Sequence, residues 1–371
     1  MTTRLFCSKP FEWFEVTQLN GRGGVYLCCP SWLPVPVGNV LQQPVAAIWN
    51  SPRAQQIRGS ILDGSFRYCN ANRCPYLQTR TGPVQSTDAV TDPDLRAAIR
   101  ERRTVLPYGP RKVICTYDQS CNLSCPSCRA EVLVETDARE QILRIQERLE
   151  REALAEADYL HITGSGDPFG SPFFRRWLQT MDRAAMPRLE RIHLHSNGLL
   201  WTRMWKTIPE DVRALIRSAE ISIDAARAET YALNRRGGRF ADLLENLALI
   251  GGLRSSGTLD FVKISMVVQA NNVVEMPEFV RLGQRFGVDA VYFSQLVNWG
   301  TFTEDEFRSR AVHLPGHPRH QELIALLDDP IFDQPVVDLG NLTVTRRSRA
   351  TRERGLVRWS RWLKARISSI A

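Results

Sequence analysis

The chain has 371 residues, of which 43% are apolar and 24% charged, proportions that are ordinary for a globular enzyme. No stretch approaches the about eighteen consecutive apolar residues of a membrane span, which excludes an integral membrane protein. The net charge of +8 is confined to the end of the chain, because 346–371 carries nine Lys or Arg and one Glu while the rest holds 39 of each sign. A basic tail gives little support to nucleic-acid binding, so no nucleic-acid partner is expected.

The N-terminal sequence MTTRLFCSKPFEWFE lacks the basic segment and apolar run of a signal peptide. A cytoplasmic location is therefore expected. Nine cysteines in that compartment are more often metal ligands than disulfides, because the cytoplasm keeps thiols reduced.

Residues 1–80 carry aromatic residues and turn signals, with few long helical stretches. The stretch EVTQLNGRGGVYLCC (15–29) predicts a β-hairpin, because the glycine-rich NGRGG separates two runs of strand-forming residues. The stretch AAIWNSPRAQQIRGSILDG (46–64) predicts one helix with an apolar face. Residues 81–112 contain Pro and Thr and are interpreted as a connector.

From residue 113, short apolar runs alternate with helical stretches, which predicts six βα units and a parallel sheet. In such sheets functional residues collect at the carboxyl ends of the strands. Helices are predicted over 136–157, 241–253 and 276–287, and Gly287 is placed to end the last one. The predicted strands are VICTY (113–117), DYLHIT (158–163), RIHLHS (191–196), EISID (220–224), FVKISMVV (261–268) and AVYFSQL (290–296).

Three cysteines follow the first of these strands in the sequence CNLSCPSCR (121–129). A structural zinc site takes four protein ligands, commonly close in sequence, and neither a fourth Cys nor a His lies nearby. A four-iron cluster can instead be held by three thiolates, which leaves one iron open. The spacing predicts such a cluster at Cys121, Cys125 and Cys128, with a zinc knuckle or buried cysteines as the alternatives.

The CxxxCxxC spacing after the first strand resembles the radical S-adenosylmethionine (SAM) superfamily. The resemblance implies that the open iron binds the amino and carboxylate groups of SAM. An electron from the cluster then cleaves SAM to a 5′-deoxyadenosyl radical, which abstracts a hydrogen atom from the substrate. Many members carry an aromatic residue against the adenine where this chain has Ser127, so adenine contacts are expected partly from elsewhere.

Three further segments after successive strands resemble the SAM-binding segments of that superfamily. HITGSGDPFGSP (161–172) resembles the GGE-like motif, whose backbone holds the SAM amino group, and LHSNGLL (194–200) resembles the segment that faces the ribose. ISIDAARAETYALNRRGG (221–238) resembles the segment with an acidic residue and an arginine near the ribose and carboxylate. The SAM-binding residues that this implies are Gly164, Ser165, Gly166, Asp167, Pro168, Ser196, Asn197, Asp224 and Arg235.

Five of the other six cysteines lie in the first 80 residues. Four thiolates from separate loops would hold a second cluster in which every iron has a protein ligand. The order of cysteines, hairpin and helix resembles the SPASM or twitch auxiliary-cluster domains of radical SAM enzymes, which usually follow the barrel and here precede it. The resemblance implies a second [4Fe-4S] cluster held by Cys7, Cys28, Cys69 and Cys74.

Cys28 is preferred to its neighbour Cys29, because the family's cysteine comes first after the hairpin strand. Adjacent strand residues point to opposite faces, so one of the two is expected to bind. A zinc ribbon held by the same four thiolates is the alternative for this module. Cys115, inside the first barrel strand, is interpreted as a buried core residue.

Together these features predict an α/β fold, namely a partial (β/α)6 TIM-like radical SAM barrel with a small N-terminal auxiliary-cluster module of a β-hairpin and a helix. The predicted divisions are the module at 1–80, the connector at 81–112, the barrel at 113–300, a flanking segment at 301–345 and a basic amphipathic tail at 346–371.

Six histidines add little to this prediction. His193 and His195 alternate along one strand and are interpreted as packed residues rather than a metal-binding pair. His161 precedes the GSGDP turn and is the better candidate for the active site. No residue is assigned a catalytic acid, base or hydrogen donor.

The predicted activity is that of a radical SAM oxidoreductase or maturase that acts on a peptide or protein, as in the maturation of ribosomally made peptides. Two alternatives stay open: a dehydrogenase or epimerase of a sugar or other small molecule, and a non-enzymatic iron–sulfur or zinc protein. The predicted cofactors are two [4Fe-4S] clusters and SAM. An external electron donor of the flavodoxin or ferredoxin type is the expected partner.

Apolar residues recur at three- and four-residue steps from Leu356 to Ile370, which predicts an amphipathic helix with a basic opposite face. Packing of this tail against the barrel is favoured, because exposure of its two tryptophans to water is unfavourable. A weak contact with an anionic membrane surface or a partner is the alternative.

Overall fold

A computed structural model describes residues 4–19, 21–343 and 345–346. Within these residues the chain forms twelve strands. In chain order they are β1 (Leu5–Cys7), β2 (Trp13–Thr17), β3 (Gly24–Tyr26), β4 (Gly38–Asn39), β5 (Val84–Ser86), β6 (Lys112–Thr116), β7 (Tyr159–Ile162), β8 (Arg191–Ser196), β9 (Ile216–Ser222), β10 (Phe261–Val268), β11 (Ala290–Gln295) and β12 (Val337–Asp338).

The same part of the chain contains fourteen α-helices and five 3₁₀-helices. The α-helices are α1 (Lys9–Glu12), α2 (Val45–Trp49), α3 (Pro52–Leu62), α4 (Pro75–Thr79), α5 (Pro93–Glu101), α6 (Arg139–Glu152), α7 (Pro172–Thr180), α8 (Trp201–Met204), α9 (Glu210–Arg213), α10 (Ala228–Asn234), α11 (Phe240–Ser255), α12 (Met276–Arg285), α13 (Glu304–Arg310) and α14 (His320–Leu326). The 3₁₀-helices are Thr87–Ala89, Arg183–Ala185, Trp205–Thr207, Val273–Glu275 and Pro330–Asp333.

These elements form two compact units. The described residues of the first unit lie in 4–124, 131–222 and 241–262. Those of the second unit lie in 125–130, 223–240 and 263–346.

Seven strands of the first unit are hydrogen-bonded neighbours in the order β9-β8-β7-β6-β2-β3-β4. Its strands β6 to β9 are parallel to one another, and β2 pairs parallel to β6, with Trp13 opposite Lys112 and Thr17 opposite Thr116. The hairpin strand β3 and then β4 complete the sheet in antiparallel fashion. A separate antiparallel pair joins β1 and β5. The N-terminal hairpin therefore shares one sheet with the barrel strands of this unit.

Burial explains why these runs form strands and helices. Val113, Ile114 and Cys115 of β6 are all buried, as is typical of a parallel strand that is covered on both faces. On α6 the buried residues Ile142, Ile145 and Leu149 recur at helical spacing and cover one face. The second unit has β10, β11 and β12 paired in parallel, and α12 buries Phe279 and Val280.

The predicted α/β fold class is confirmed. Each of the six predicted strands is present within a few residues, and helices form at 139–152, 240–255 and 276–285 where helical patterns were identified. The predicted hairpin is β2 and β3. In these regions strong periodicity leaves little choice of element type.

One local prediction was wrong. The single helix expected at 46–64 is two helices, α2 and α3, because Pro52 begins a new helix and the Ser51 side chain caps it by accepting from the Ala54 N–H. The stretch interpreted as a connector, 81–112, contains β5 and α5, and Asp92 caps α5 by accepting from two backbone N–H groups. No helix among the described residues has the length and apolarity of a membrane span. The predicted amphipathic helix of the tail lies outside the described residues.

Candidate cofactor-binding sites

The loop that leads from β6 into the CNLSCPSCR segment is fixed by buried polar contacts of the first unit. Asp118 Oδ1 accepts hydrogen bonds from the N–H (2.9 Å) and hydroxyl (2.7 Å) of Ser120. The Ser120 hydroxyl accepts from the Glu135 N–H at 2.9 Å, and the Cys121 N–H donates to the Leu133 carbonyl at 2.8 Å. Cys121 is therefore held between two segments of backbone.

The sulfur of Cys121 has a side-chain amide beside it. Asn197 Nδ2 lies 3.7 Å from Cys121 Sγ and 2.9 Å from Asn122 Oδ1. Asn197 is only 5% exposed, so these contacts are shielded from water. An N–H donor near sulfur stabilises a thiolate and tunes a cluster bound to it. The predicted ribose-facing segment thus also reaches a predicted cluster ligand.

The GSGDP turn after β7 directs its N–H groups to one internal acceptor. Thr163 Oγ1 accepts from the N–H of Gly164 at 2.6 Å, of Ser165 at 3.2 Å and of Gly166 at 2.9 Å. The Ser165 hydroxyl donates to the Thr116 carbonyl at 3.0 Å. Because an amino group needs acceptors, the backbone group suited to the SAM amine in this turn is the carbonyl. Sequence reasoning did not assign a role to Thr163, although this residue lies in the 161–172 segment directly before Gly164.

Two glycines of this turn differ in how much space surrounds them. A Cβ at Gly166 would lie 2.6 Å from the Ser120 carbonyl oxygen and 2.8 Å from that of Asp118, so backbone excludes any side chain there. A Cβ at Gly164 would meet Thr116 at 3.6 Å and the His195 ring at 3.9 Å, which is ordinary contact. Gly164 is exposed, so the space above it is open to a ligand.

Asp167 holds two of the predicted SAM-binding segments together. Its Oδ1 accepts from the N–H groups of Phe169 (2.9 Å) and Gly170 (2.7 Å). Its Oδ2 accepts from the Ser196 hydroxyl (2.9 Å) and the Asn197 N–H (2.8 Å). The Asp167 carboxylate is fully buried, so this side chain positions the segments. Pro168, the next residue, is also buried.

The three histidines of the first unit lie on adjacent strands. The ring centroids of His161 and His193 are 4.6 Å apart, and His193 Nδ1 is hydrogen-bonded to Ser218 at 2.9 Å. His195 Nε2 is hydrogen-bonded to Ser222 at 2.9 Å. These contacts agree with the interpretation of His193 and His195 as packed residues.

In the second unit, Arg235 joins an acidic residue to a predicted cluster ligand. Arg235 Nη2 lies 2.8 Å from Asp224 Oδ2, and Nη1 lies 3.7 Å from Cys125 Sγ. The side chains of Arg235 and Asp224 are 12% and 3% exposed. The two residues that the resemblance paired near the SAM ribose and carboxylate therefore form one buried ion pair.

Burial and neighbouring charges shift the pKa values of Arg235 and Cys125 in opposite directions. Burial lowers the pKa of Arg235. The Asp224 carboxylate and Cys125 together raise that pKa by more than burial lowers it, so the net shift is upward. Burial raises the pKa of the Cys125 thiol, and the Arg235 guanidinium partly offsets that rise. The guanidinium therefore favours the thiolate form that a metal requires. Cys128 is exposed, and Arg129 Nη2 lies 3.3 Å from its sulfur.

The backbone at Asp224 is held in a left-handed conformation, with φ of 60°. Its Oδ1 accepts from the Val267 N–H at 2.7 Å, and its carbonyl accepts from the side-chain amides of Asn234 and Asn272. The buried Glu275 carboxylate accepts from the N–H groups of Ala226 and Arg227, which follow Asp224 in the chain. No motif identified Asn272 and Glu275 in advance, because their role depends on contacts between distant parts of the chain.

In the N-terminal part of the first unit, four thiols line one cavity. We call it the auxiliary cavity, and its lining includes Lys9, Trp32, Phe66 and Tyr76. Cys29 is not among its lining residues, in agreement with the preference for Cys28. The four cysteines that line it are Cys7, Cys28, Cys69 and Cys74.

Burial controls the ionisation of these thiols. It raises the pKa of Cys7 to about 11 and that of Cys69 to about 12. The pKa values of Cys28 and Cys74 are also raised by burial, and the positive charge of Lys9 opposes the rise at both. Without metal, the four groups are therefore neutral thiols at pH 7. Ligation by a metal releases their protons.

The donor set of the auxiliary cavity fits an iron–sulfur cluster. Four thiols line this one cavity, and thiolates are the usual ligands of [4Fe-4S] clusters. A single zinc ion needs its sulfur ligands about 2.3 Å away. No group of three or more His, Cys, Asp or Glu side chains in the described part of the chain has an arrangement that could hold one metal ion.

Comparison with known proteins gives a family match for the N-terminal part. Residues 7–75 match the SPASM model, described as an iron–sulfur cluster-binding domain. The match begins at Cys7 and ends one residue after Cys74, so it encloses all four thiols of the auxiliary cavity. The predicted N-terminal position of this module is thereby supported.

Two curated relatives are GTP 3′,8-cyclases. The protein of Pelotomaculum thermopropionicum is 32% identical over 140 residues, which is 36% of this chain and 41% of the relative. That of Moorella thermoacetica is 29% identical over 189 residues, or 49% of this chain and 54% of the relative. The chain thus spans about half the length of the curated relatives it matches. A solved structure of TYW1 with a lysine-pyruvate adduct superposes with a TM-score of 0.36 at 17% identity, over 59% of this chain and 71% of that one.

Proposed function

We propose that this chain is a radical SAM enzyme with an N-terminal SPASM iron–sulfur domain, which binds SAM at one [4Fe-4S] cluster and holds a second cluster in the auxiliary cavity. Cys121, Cys125 and Cys128 are the proposed ligands of the first cluster. When bound, this cluster would supply the electron for reductive cleavage of SAM to a 5′-deoxyadenosyl radical, which would take a hydrogen atom from the substrate.

One observation supports the second cluster above all others. Four cysteines from three separate stretches of the sequence line a single cavity, and the fifth cysteine of the module does not. The proposed ligands are Cys7, Cys28, Cys69 and Cys74. An all-cysteine set occupies every iron, so this site is suited to electron transfer or structural support rather than to SAM binding.

The proposed roles of the SAM-binding residues differ. The exposed turn at Gly164 presents backbone to the SAM amino group, with Ser165 and Gly166 completing the turn. Asn197 stabilises the Cys121 thiolate, and Arg235 stabilises that of Cys125. The remaining residues of the set hold these groups in place: Asp167, Pro168, Ser196 and Asp224.

For the substrate, we favour a peptide or protein. The support is the match of residues 7–75 to an iron–sulfur cluster-binding domain. Enzymes that resemble this architecture commonly modify ribosomally made peptides. An external electron donor of the flavodoxin or ferredoxin type would reduce the first cluster.

A small molecule is the second candidate substrate, and the curated relatives favour it. Both are GTP 3′,8-cyclases, so a nucleotide belongs in the substrate screen. Incubation of the loaded enzyme with SAM, reductant and either GTP or a peptide library distinguishes the two classes. With the productive substrate, more 5′-deoxyadenosine should form, and the mass of that substrate should change.

The experiment that tests the proposal is anaerobic reconstitution with iron and sulfide. We expect about eight irons per chain, as two four-iron clusters require. Replacement of Cys121, Cys125 and Cys128 together by Ala should leave about half of the iron and abolish the formation of 5′-deoxyadenosine. Continued SAM cleavage by the triple variant would exclude this site.

The auxiliary cluster is tested separately. Ala at any one of Cys7, Cys69 or Cys74 should reduce the iron content by about half and leave SAM binding intact. Cys28→Ala should do the same, with Cys29→Ala as the matched control that retains about eight irons. Zinc in place of iron, in protein purified without oxygen, would identify the module as a zinc ribbon.

A further inference from the structure

A lysine lies in the wall of the auxiliary cavity among four thiols. Lys9 is only 8% exposed, and its Nζ lies 3.8 Å from the ring centroid of Trp13. The centroids of Trp32 and Tyr76 are 5.1 and 5.3 Å from the same nitrogen. Aromatic faces attract cations over these distances. Three rings therefore cage one ammonium group at the proposed cluster site.

This ammonium group forms no direct ion pair with a carboxylate within the described residues, where no acidic oxygen comes within 4.0 Å of it. The buried Glu15 carboxylate attracts it from a greater distance. That carboxylate accepts from Trp13 Nε1 at 3.4 Å and from the Thr116 hydroxyl at 3.5 Å. Burial of an ammonium group without a direct ion pair is costly. A negatively charged group in the cavity would compensate this cost.

We propose that Lys9 is the counter-charge of the auxiliary cluster and raises its reduction potential. The inference rests on the proposed function, because it requires a cluster held by Cys7, Cys28, Cys69 and Cys74. A cluster with four thiolate ligands carries net negative charge, and one-electron reduction makes it more negative. A fixed positive charge close by, in a site with little water, stabilises the reduced state more than the oxidised state.

The aromatic cage gives this charge a defined position. The ring of Trp13 belongs to β2, and those of Trp32 and Tyr76 form an edge-to-face pair with centroids 5.3 Å apart. A flexible lysine would otherwise turn its ammonium group towards water. The rings instead keep the charge beside the thiols, so Lys9 acts through electrostatics and not as a ligand.

The test compares variants of the full chain, loaded with both clusters and titrated anaerobically with dithionite while the reduced clusters are followed by electron paramagnetic resonance. Lys9→Met removes the charge and keeps an apolar chain of similar length. We expect the potential of the auxiliary cluster to become more negative and that of the SAM-binding cluster to stay unchanged. Lys9→Arg keeps the charge and should keep the potential close to that of the parent.

Lys112→Met is the matched control, because this lysine pairs with Glu12 at 3.2 Å outside the auxiliary cavity. It should leave both potentials unchanged. Equal potentials in the Lys9→Met variant and the parent would overturn the inference. Failure of the parent chain to hold the second cluster would overturn the proposed function instead, so the two failures are distinguishable.

Loss of the cluster in a variant is also informative. If Lys9→Met binds about four irons, Lys9→Gln is measured in its place. Loss of the auxiliary cluster in both neutral variants, with retention in Lys9→Arg, shows that the site requires the positive charge and supports the inference. Loss in all three variants shows that the lysine is needed for its shape and overturns it.

Discussion

The side-chain amide of Asn197 lies 3.7 Å from the sulfur of Cys121 and is almost completely buried. Replacement by Ala removes a donor to this sulfur, and hydrogen bonds to sulfur raise the reduction potential of a cluster. We expect Asn197→Ala to keep about eight irons, to lower the potential of the SAM-binding cluster and to slow SAM cleavage about tenfold, as the loss of one hydrogen bond to a charged group implies. Redox titration and 5′-deoxyadenosine formation measure the two effects.

Asn72→Ala is a suitable comparison for this variant, because Asn72 is exposed. It should match the parent in potential and rate. An unchanged potential in Asn197→Ala would show that the amide does not act on the cluster.

Alanine variants at Gly164 and Gly166 distinguish a loss of contact with the cofactor from a loss of protein packing. Gly166→Ala brings a methyl group against backbone oxygens 2.6 and 2.8 Å away, so we expect a lower melting temperature and loss of SAM binding. Gly164→Ala meets only ordinary contacts, so its melting temperature should match that of the parent while SAM binding weakens. Gly252→Ala, in α11 with open space around it, is the control for both. Tight SAM binding by Gly164→Ala would remove this glycine from the cofactor site.

The buried pair of Asp224 and Arg235 predicts a stability effect that is not additive. Asp224→Asn leaves the guanidinium buried without its counter-ion, which should lower the free energy of unfolding by about 3–5 kcal/mol. In Asp224→Asn/Arg235→Met both charges are absent, so the loss should be smaller than the sum of the single losses. Glu304→Gln, in an exposed pair with Arg308, should change the same free energy by less than about 1 kcal/mol. Urea denaturation of the cofactor-free protein measures the free energy of unfolding of four variants: Asp224→Asn, Arg235→Met, the double variant and Glu304→Gln. A loss in the double variant equal to the sum of the two single losses would contradict a coupled pair.

The thiols of the auxiliary cavity predict sensitivity of the cofactor-free protein to alkaline pH. Burial raises the pKa values of Cys7 and Cys69 to about 11 and 12, whereas an unfolded thiol ionises near about 8.5. These neutral thiols therefore stabilise the fold fully below about pH 8.5, and the stabilisation is lost as pH rises through their folded pKa values. We expect the free energy of unfolding to fall between about pH 9 and 11.

The double variant Cys7→Ala/Cys69→Ala should show a shallower fall over the same range. The parent loaded with clusters should also show a shallower fall, because its sulfurs are already ionised and bound. Denaturation at pH 8 and 10 measures each slope. Equal slopes for parent and double variant would exclude these two thiols as the cause.

The sequence was sufficient for the features that depend on short-range patterns. Alternation of apolar runs with helical periods predicted β6 to β11, each of which is present within a few residues of its predicted range. The open cluster, which the spacing of Cys121, Cys125 and Cys128 predicts, stays a prediction. The break between α2 and α3 had a signal in Pro52, which was outweighed by the apolar periodicity on both sides.

Features that depend on distant contacts could not be predicted in this way. Lys9 and Arg58 are charged residues that sequence patterns assign to the surface. The structure buries both, and Arg58 donates to the Pro10 and Thr104 carbonyls from a fully buried position. Likewise, nothing in the local sequence showed that Asp167 would join the segment after β7 to the segment after β8. Such burial is decided by partners that the fold brings together.

The parallel pairing of β2 with β6 has a consequence for how this chain can be divided. The partner of residues 13–17 is 112–116, so the N-terminal hairpin leaves the ribosome long before the strand that completes its ladder, and closing this long loop precedes any gain from the pairing. A fragment that starts at β6 would expose that strand's unpaired N–H and C=O groups as a template for aggregation. Chimaeras that exchange residues 7–75, the region that matches the SPASM model, will therefore need to keep β2 with β6, because the natural boundary for recombination runs through that region.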